Sequence, residues 1–96
     1  MRLSRSAEAD LRALAGLIAA RQGAAPLARF GAALLARLAA LDAGEQAGTP
    51  LRLADGAALR AVPLGAQILY VRQDAADGPE LVRILHRRMA APDALG

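Results

Sequence analysis

Apolar positions recur at helical spacing through the first half of the chain and at strand spacing through the second. After Ser4, the residues Leu11, Leu14 and Ile18 fall at i, i+3 and i+7, one apolar stripe running to about Arg21. Ser4 suits an N-cap, and Glu8 and Asp10 lie near the positive end of the predicted helix. Glu8 and Arg12 stand at i and i+4 with the acid first, the better order on an exposed face. Gly23 ends this helix. A second helix is predicted from Pro26, whose fixed φ suits the first helical position, to a stop at Gly44. Its stripe is Leu27, Phe30, Leu34, Leu38 and Leu41, with Leu35 alongside. The short link makes the pair an antiparallel hairpin, in which Gly16, Gly31 and the alanines would allow close approach.

Strands follow a polar loop at 45–50. Residues 51–53, 58–64, 67–73 and 81–86 carry Leu, Val, Ile and Tyr, which suit a pleated, half-buried surface. Turns are expected at Asp55-Gly56, at Gly65-Ala66 and over 74–79. Pro63 argues for a strand end or an edge at that point of 58–64. A short strand is also expected at 1–3, and residues 90–96 read as a loose tail. The predicted fold class is α+β, a two-helix hairpin packed on a small antiparallel sheet in the order β-α-α-β-β-β, with or without 51–53 as an extra short strand. Strict alternation puts Leu81, Arg83 and Leu85 on one face of the last strand and Val82, Ile84 and His86 on the other.

Ninety-six residues make one domain with a modest core. Much of the 55% apolar content is alanine, which favours helix but contributes little burial. All twelve basic residues are Arg, and the net charge of +3 suits weak attraction to polyanions or to an acidic protein partner. The absence of cysteine excludes disulfides and thiolate metal sites and fits a reducing cytoplasm. With a single His and no carboxylate cluster beside it, no metal or other cofactor is expected. Residues 13–20 resemble a short signal-peptide core, but Glu8, Asp10 and Arg12 break that pattern and fit an amphipathic helix. No membrane association is expected.

Two chemistries suit the arginine-rich end. Arg60, Arg72 and Arg83, facing away from the helices, would make a basic patch with Arg87 and Arg88. The bland reading is separate solvated arginines on the open face of a sheet. Cleaving RNA needs a base, a charge stabiliser and an acid, and His86, Tyr70, Glu45 and the arginines supply those types. A lone His at a strand end is more often structural.

Several blocks then match a known family in order and spacing. They are Leu3-Ser4 with Ala7-Glu8-Ala9-Asp10-Leu11; Phe30, Leu34, Leu38 and Leu41; Leu59-Arg60; Ile68-Leu69-Tyr70; and Val82-Arg83-Ile84-Leu85-His86-Arg87-Arg88. The chain resembles the ParE/RelE superfamily of bacterial type II toxins, the ParE branch most closely. The resemblance implies a cytoplasmic toxin neutralised by a cognate antitoxin with a small, acidic C-terminal segment. For ParE-like members it implies inhibition of DNA gyrase. For RelE-like members it implies ribosome-dependent mRNA cleavage, with His86, Tyr70, Arg60 and Arg83 as the expected site. The lack of lysine and of a second His or Tyr near the C-terminus departs from the RelE pattern. A non-toxic remnant that binds a partner is a third reading. The expected target surface is Arg83, Arg87 and Arg88; the expected antitoxin surface is the hairpin, with Leu14, Ile18, Phe30, Leu34 and Arg37.

Overall fold

Ser4 sits where a strand, a helix and the last strand meet. Its Oγ accepts from the Ala7 amide at 3.0 Å, satisfying one of the N–H groups that a helix start leaves unpaired. The same hydroxyl donates to the Val82 carbonyl at 2.7 Å, and the Ser4 amide donates to the Leu81 carbonyl at 2.9 Å. The computed structural model describes residues 1–73 and 78–89. Most of the predicted turn at 74–79 and all of the predicted tail at 90–96 lie outside the described residues. The elements are β1 (Arg2–Leu3), α1 (Arg5–Arg21), α2 (Ala24–Asp42), β2 (Thr49–Arg52), β3 (Ala58–Leu64), β4 (Gln67–Arg72) and β5 (Glu80–His86).

Gly23 serves both helices. At φ +98°, a region L side chains rarely adopt, it reverses the chain after α1 and becomes the N-cap of α2. The second helix therefore begins at Ala24 rather than Pro26. Pro26 still lies in the first turn, where a missing N–H removes no helical hydrogen bond. At the far end of α2, the Met1 ammonium lies 2.7 Å from Asp42 Oδ2 and offsets an acid placed at the negative end of the helix. A Cβ built on Gly16 or Gly31 would meet nothing within 4 Å, so neither glycine marks a close helix approach. By length and composition alone α2 is apolar enough to cross a membrane; Leu34, Leu38 and Leu41 are its buried residues, and the rest of the helix is half-buried or exposed.

The strand order is β1-β5-β4-β3-β2. Strands β2 to β5 pair antiparallel with their neighbours, as the alternating segments predict. β1 joins β5 in parallel, with Leu3 opposite Leu81, so the five-stranded sheet is mixed. The long path through the hairpin and three strands is what lets the first and last strands run side by side. The predicted strand at 51–53 falls at Thr49–Arg52, because the Leu53 amide and carbonyl are used by the turn with Ala57 and Gly56.

Both helices cover one face of the sheet. Ala7, Leu34, Leu38 and Leu41 meet Val62, Leu69, Val71, Leu81 and Ile84 there. Leu41, Leu69 and Leu81 are among the most completely buried side chains, each worth about 1.5–3 kcal/mol of burial. The opposite face carries a smaller cluster, Leu59, Tyr70 and Leu85, bordered by Leu51, Leu53, Ile68 and Val82. Strict alternation fails once in β5. Tyr70 pairs with Arg83 and Val71 with Leu81, leaving Val82 as the extra residue of a bulge. Leu81 consequently joins Ile84 in the helix-side core instead of sharing a face with Leu85.

Past Leu81 the outer edge of β5 is closed by α1 rather than by a strand, one of the ways an exposed edge is protected. Ser4 takes the Val82 carbonyl, and Asp10 Oδ2 accepts the Ile84 amide at 3.0 Å. The Asp10 carboxylate is also held in a fork by Arg83, Nε to Oδ2 at 2.7 Å and Nη2 to Oδ1 at 3.0 Å. That hydrogen bonding raises the Arg83 pKa above its ordinary value.

Two substitutions test this construction. Asp10→Asn keeps the shape but removes the charge from the fork, and should cost about 1.5–3 kcal/mol in urea denaturation. Gly48→Ala should cost about 1–3 kcal/mol, since Gly48 has φ +78° and an added Cβ would collide with the Ala61 carbonyl. Wild-type stability in either variant would contradict the corresponding contact.

Candidate functional site

Helical spacing brings Leu14, Leu17, Ile18 and Arg21 to one side of the C-terminal half of α1. Pro26 and Phe30 face them from the start of α2, again at i and i+4. The end of β3 and the turn into β4 add Leu64, Gly65, Ala66 and Gln67. His86, the last residue of β5, lies opposite Gln67 in the sheet. These residues enclose a groove of about 440 Å³. Its floor is Leu14, Leu17, Ile18, Phe30 and Leu64; its rim is Arg21, Gln22, Gln67 and His86. Among the described residues that line it, none is acidic. Leu17 is 47% exposed there. A shallower hollow of about 250 Å³, lined by Ala33, Ala36, Arg37 and Ala40, shares Leu64 with the groove.

The chain folds back as soon as β5 ends. The Arg87 amide donates to the Ala66 carbonyl at 2.9 Å, and the Arg88 amide donates to His86 Nδ1 at 3.1 Å. The Met89 amide closes the turn on the His86 carbonyl at 3.0 Å. Arg87 and Arg88 are exposed, and they hang from two residues that line the groove.

The predicted site residues fall into separate places. Leu14, Ile18 and Phe30 line the groove, and Arg37 lines the shallower hollow, where its Nη1 lies 3.1 Å from Glu45 Oε1. Leu34 is buried in the core, 4% exposed. The expected patch of Arg60, Arg72 and Arg83 does not form on one face. Arg60 pairs with Val71 on the helix side, and its guanidinium donates to the Ala47 and Gly48 carbonyls at 2.7 and 2.9 Å. Arg72 lies across from Glu80, 3.9 Å away, and Arg83 grips Asp10.

Of His86, Tyr70, Arg60 and Arg83, the sheet brings together Tyr70 and Arg83 as a cross-strand pair, and the other two lie apart. His86 is opposite Gln67 and Arg60 opposite Val71, which puts them about 13 Å apart along β4 at ~3.3 Å per residue. Tyr70 is buried in the cluster on the far face, and burial pushes its phenol above the ordinary pKa. Among the described residues no three His, Cys, Asp or Glu side chains are placed to hold a metal.

Sequence reasoning did not single out Leu17, Arg21, Gln22 or Gln67 as site residues, nor Asp10 as the partner of Arg83. Arg21 was readable in principle, being i+3 from Ile18 and i+7 from Leu14. Asp10 was not, because its partner lies 73 residues away.

Tyr70 is the chain's one tyrosine, so its titration can be followed directly by absorbance at 295 nm. The fold favours the neutral phenol, so the midpoint should lie above the ordinary value of about 10. Folding stability should fall as pH rises past the unfolded value and through the folded one. A midpoint at the ordinary value, with the fold intact, would contradict the burial.

A family model described as the ParE toxin of the type II toxin-antitoxin system, parDE, matches residues 1–91. Among solved structures, the chain is similar to one from the chromosomal ParDE TA system of P. aeruginosa, with a TM-score of 0.70 and 19% sequence identity. That match covers 88% of this chain and 91% of the other, and at such identity it speaks for the fold alone. No curated protein matches. The helical hairpin on a five-stranded sheet agrees with that neighbour, and the family model spans nearly the whole chain: the protein belongs to the ParE toxin family of type II toxin–antitoxin systems.

Proposed function

We propose that this ParE-family protein arrests growth by binding DNA gyrase, and that an acidic C-terminal segment of its antitoxin neutralises it. Membership of the family implies the antitoxin partner. The observation that carries the rest is the groove, with an apolar floor and a rim whose charged or titratable members are Arg21 and His86. An acidic, amphipathic segment would bury its apolar face on Leu14, Leu17, Ile18 and Phe30 and set its carboxylates against the rim. Ordering a flexible segment costs about 2–5 kcal/mol, which burial of such a face offsets. Arg37 and the hollow beside it extend that surface along α2. Leu34 would contribute from beneath, by holding α2 in place.

The gyrase-facing surface in this reading is the end of β5 and its turn. Arg87 and Arg88 present planar donor forks that pair with carboxylates in two-point contacts. Arg83 would act mainly through its neighbours, since Asp10 fixes its guanidinium. Binding rather than catalysis is favoured by the scatter of the four ribonuclease candidates over both sheet faces.

The test is the double variant Arg87→Ala/Arg88→Ala. Truncating a hydrogen-bonded charge at an interface typically costs about 2–5 kcal/mol, so affinity for purified gyrase should fall by more than about tenfold. Growth arrest should weaken, with the circular dichroism spectrum unchanged. Full arrest at matched expression would remove the turn from the target surface.

A further inference from the structure

We infer that His86 is a positioning residue: its neutral ring sets the turn that carries Arg87 and Arg88, so acid loosens the turn and target binding depends on pH. The inference rests on the functional reading above and names a regulation of that same surface. It starts from one atom. His86 Nδ1 accepts the Arg88 amide at 3.1 Å, two residues ahead in the chain. A ring nitrogen that accepts carries no proton, so this imidazole is neutral with its hydrogen on Nε2. The arrangement matches an Asx turn, in which an Asp or Asn side chain takes the N–H two residues on. Here an imidazole stands in for the carboxylate or amide.

Imidazole is the side chain whose ordinary titration falls between pH ~5 and ~8. An imidazolium donates from both nitrogens. Its Nδ1–H would meet the Arg88 N–H donor against donor, and the bond is lost. The other two bonds of the turn do not titrate. The Arg87 amide stays on the Ala66 carbonyl at 2.9 Å, and the Met89 amide on the His86 carbonyl at 3.0 Å. Acid therefore frees Arg88 while Arg87 remains anchored. The neighbouring elements offer the charged ring no carboxylate. From α1 the groove receives Arg21, from α2 Pro26 and Phe30, and from β4 Gln67, which lies opposite His86 in the sheet. The turn itself adds Arg87 and Arg88, and no acid is among the described lining residues. His86 is exposed, so a proton reaches the ring without unfolding.

The chain has one histidine, so its ring nitrogens are assigned without ambiguity by nitrogen-15 NMR. At pH ~8 the Nδ1 signal should be that of an unprotonated nitrogen. On acidification to pH ~5.5 the Arg88 amide shift should follow the ring with the same midpoint, and the Arg87 amide much less. His86→Asn places Oδ1 where Nδ1 stands and cannot titrate, so its Arg88 amide should stay bonded across the range. His86→Ala should leave that amide unbonded throughout. Affinity for purified gyrase is measured on the same proteins. It should fall several-fold for the wild type from pH ~8 to ~5.5 and by less for His86→Asn, a comparison in which the titration of gyrase itself cancels. A protonated Nδ1 at pH ~8, or an Arg88 amide indifferent to the ring, would overturn the inference at its first step. Parallel pH profiles of gyrase binding for the wild type and His86→Asn would overturn the positioning role. A wild type that binds no gyrase at either pH would overturn the target reading alone, and an Arg88 amide coupled to the ring would still support the switch.

Discussion

The grip of Asp10 on β5 is the contact on which the rest of the structure depends. One carboxylate accepts two bonds from Arg83 and one from the Ile84 amide. It does so where β1 has ended and the edge of β5 would otherwise present unpaired backbone to solvent. A helix standing in for a strand is a demanding arrangement, because a helix exposes few backbone groups of its own. Ser4 and Asp10 solve it with side chains, six residues apart on the first turns of α1. A small, alanine-rich core gives limited burial to hold that docking, so a charge-assisted fork carries weight it would not carry in a larger protein.

Fixing α1 against β5 has a consequence at the other end of the same two elements. The last turns of α1 supply one wall of the groove, and the last residue of β5 supplies part of another. Their separation there is set by how they are joined near Asp10. The groove stays open because no large side chain fills the space between Leu17, Phe30 and Leu64, the chain having a single Phe and no Trp. The low aromatic content thus leaves room for a partner's side chains. Anchoring Arg87 and Arg88 by backbone bonds, rather than through their side chains, leaves both guanidinium groups directed at the surroundings.

The elements were legible in the sequence to the extent that local chemistry fixes them. The helix stripes, the Ser4 cap, Gly23 and the strand at Ala58–Leu64 follow from periodicity and turn residues. What escaped depended on pairing between distant segments. The parallel partner of β1, the bulge at Val82 and the helix-side position of Arg60 all follow from register, which one sequence does not encode. The bulge had the largest effect, since one extra residue moves Leu81 into the core and changes which side chains accompany Arg83. Of the candidate site, the apolar residues of the hairpin were readable from their stripe. The arginines were readable only as residues: Arg60, Arg83 and Arg37 turned out to be engaged by partners, which the composition of the chain gave no means to foresee.

The most direct measurement of this account is amide hydrogen exchange along β5 in the wild-type protein and in Asp10→Ala. If the carboxylate holds the helix and strand together, the Ile84 amide is protected in the wild type although no strand pairs with that edge. In the variant, protection should fall at Ile84 and also at Arg87, whose amide bonds the groove wall. A fast-exchanging Ile84 in the wild type, or unchanged protection at both positions in the variant, would contradict the claim that Asp10 organises this end of the molecule.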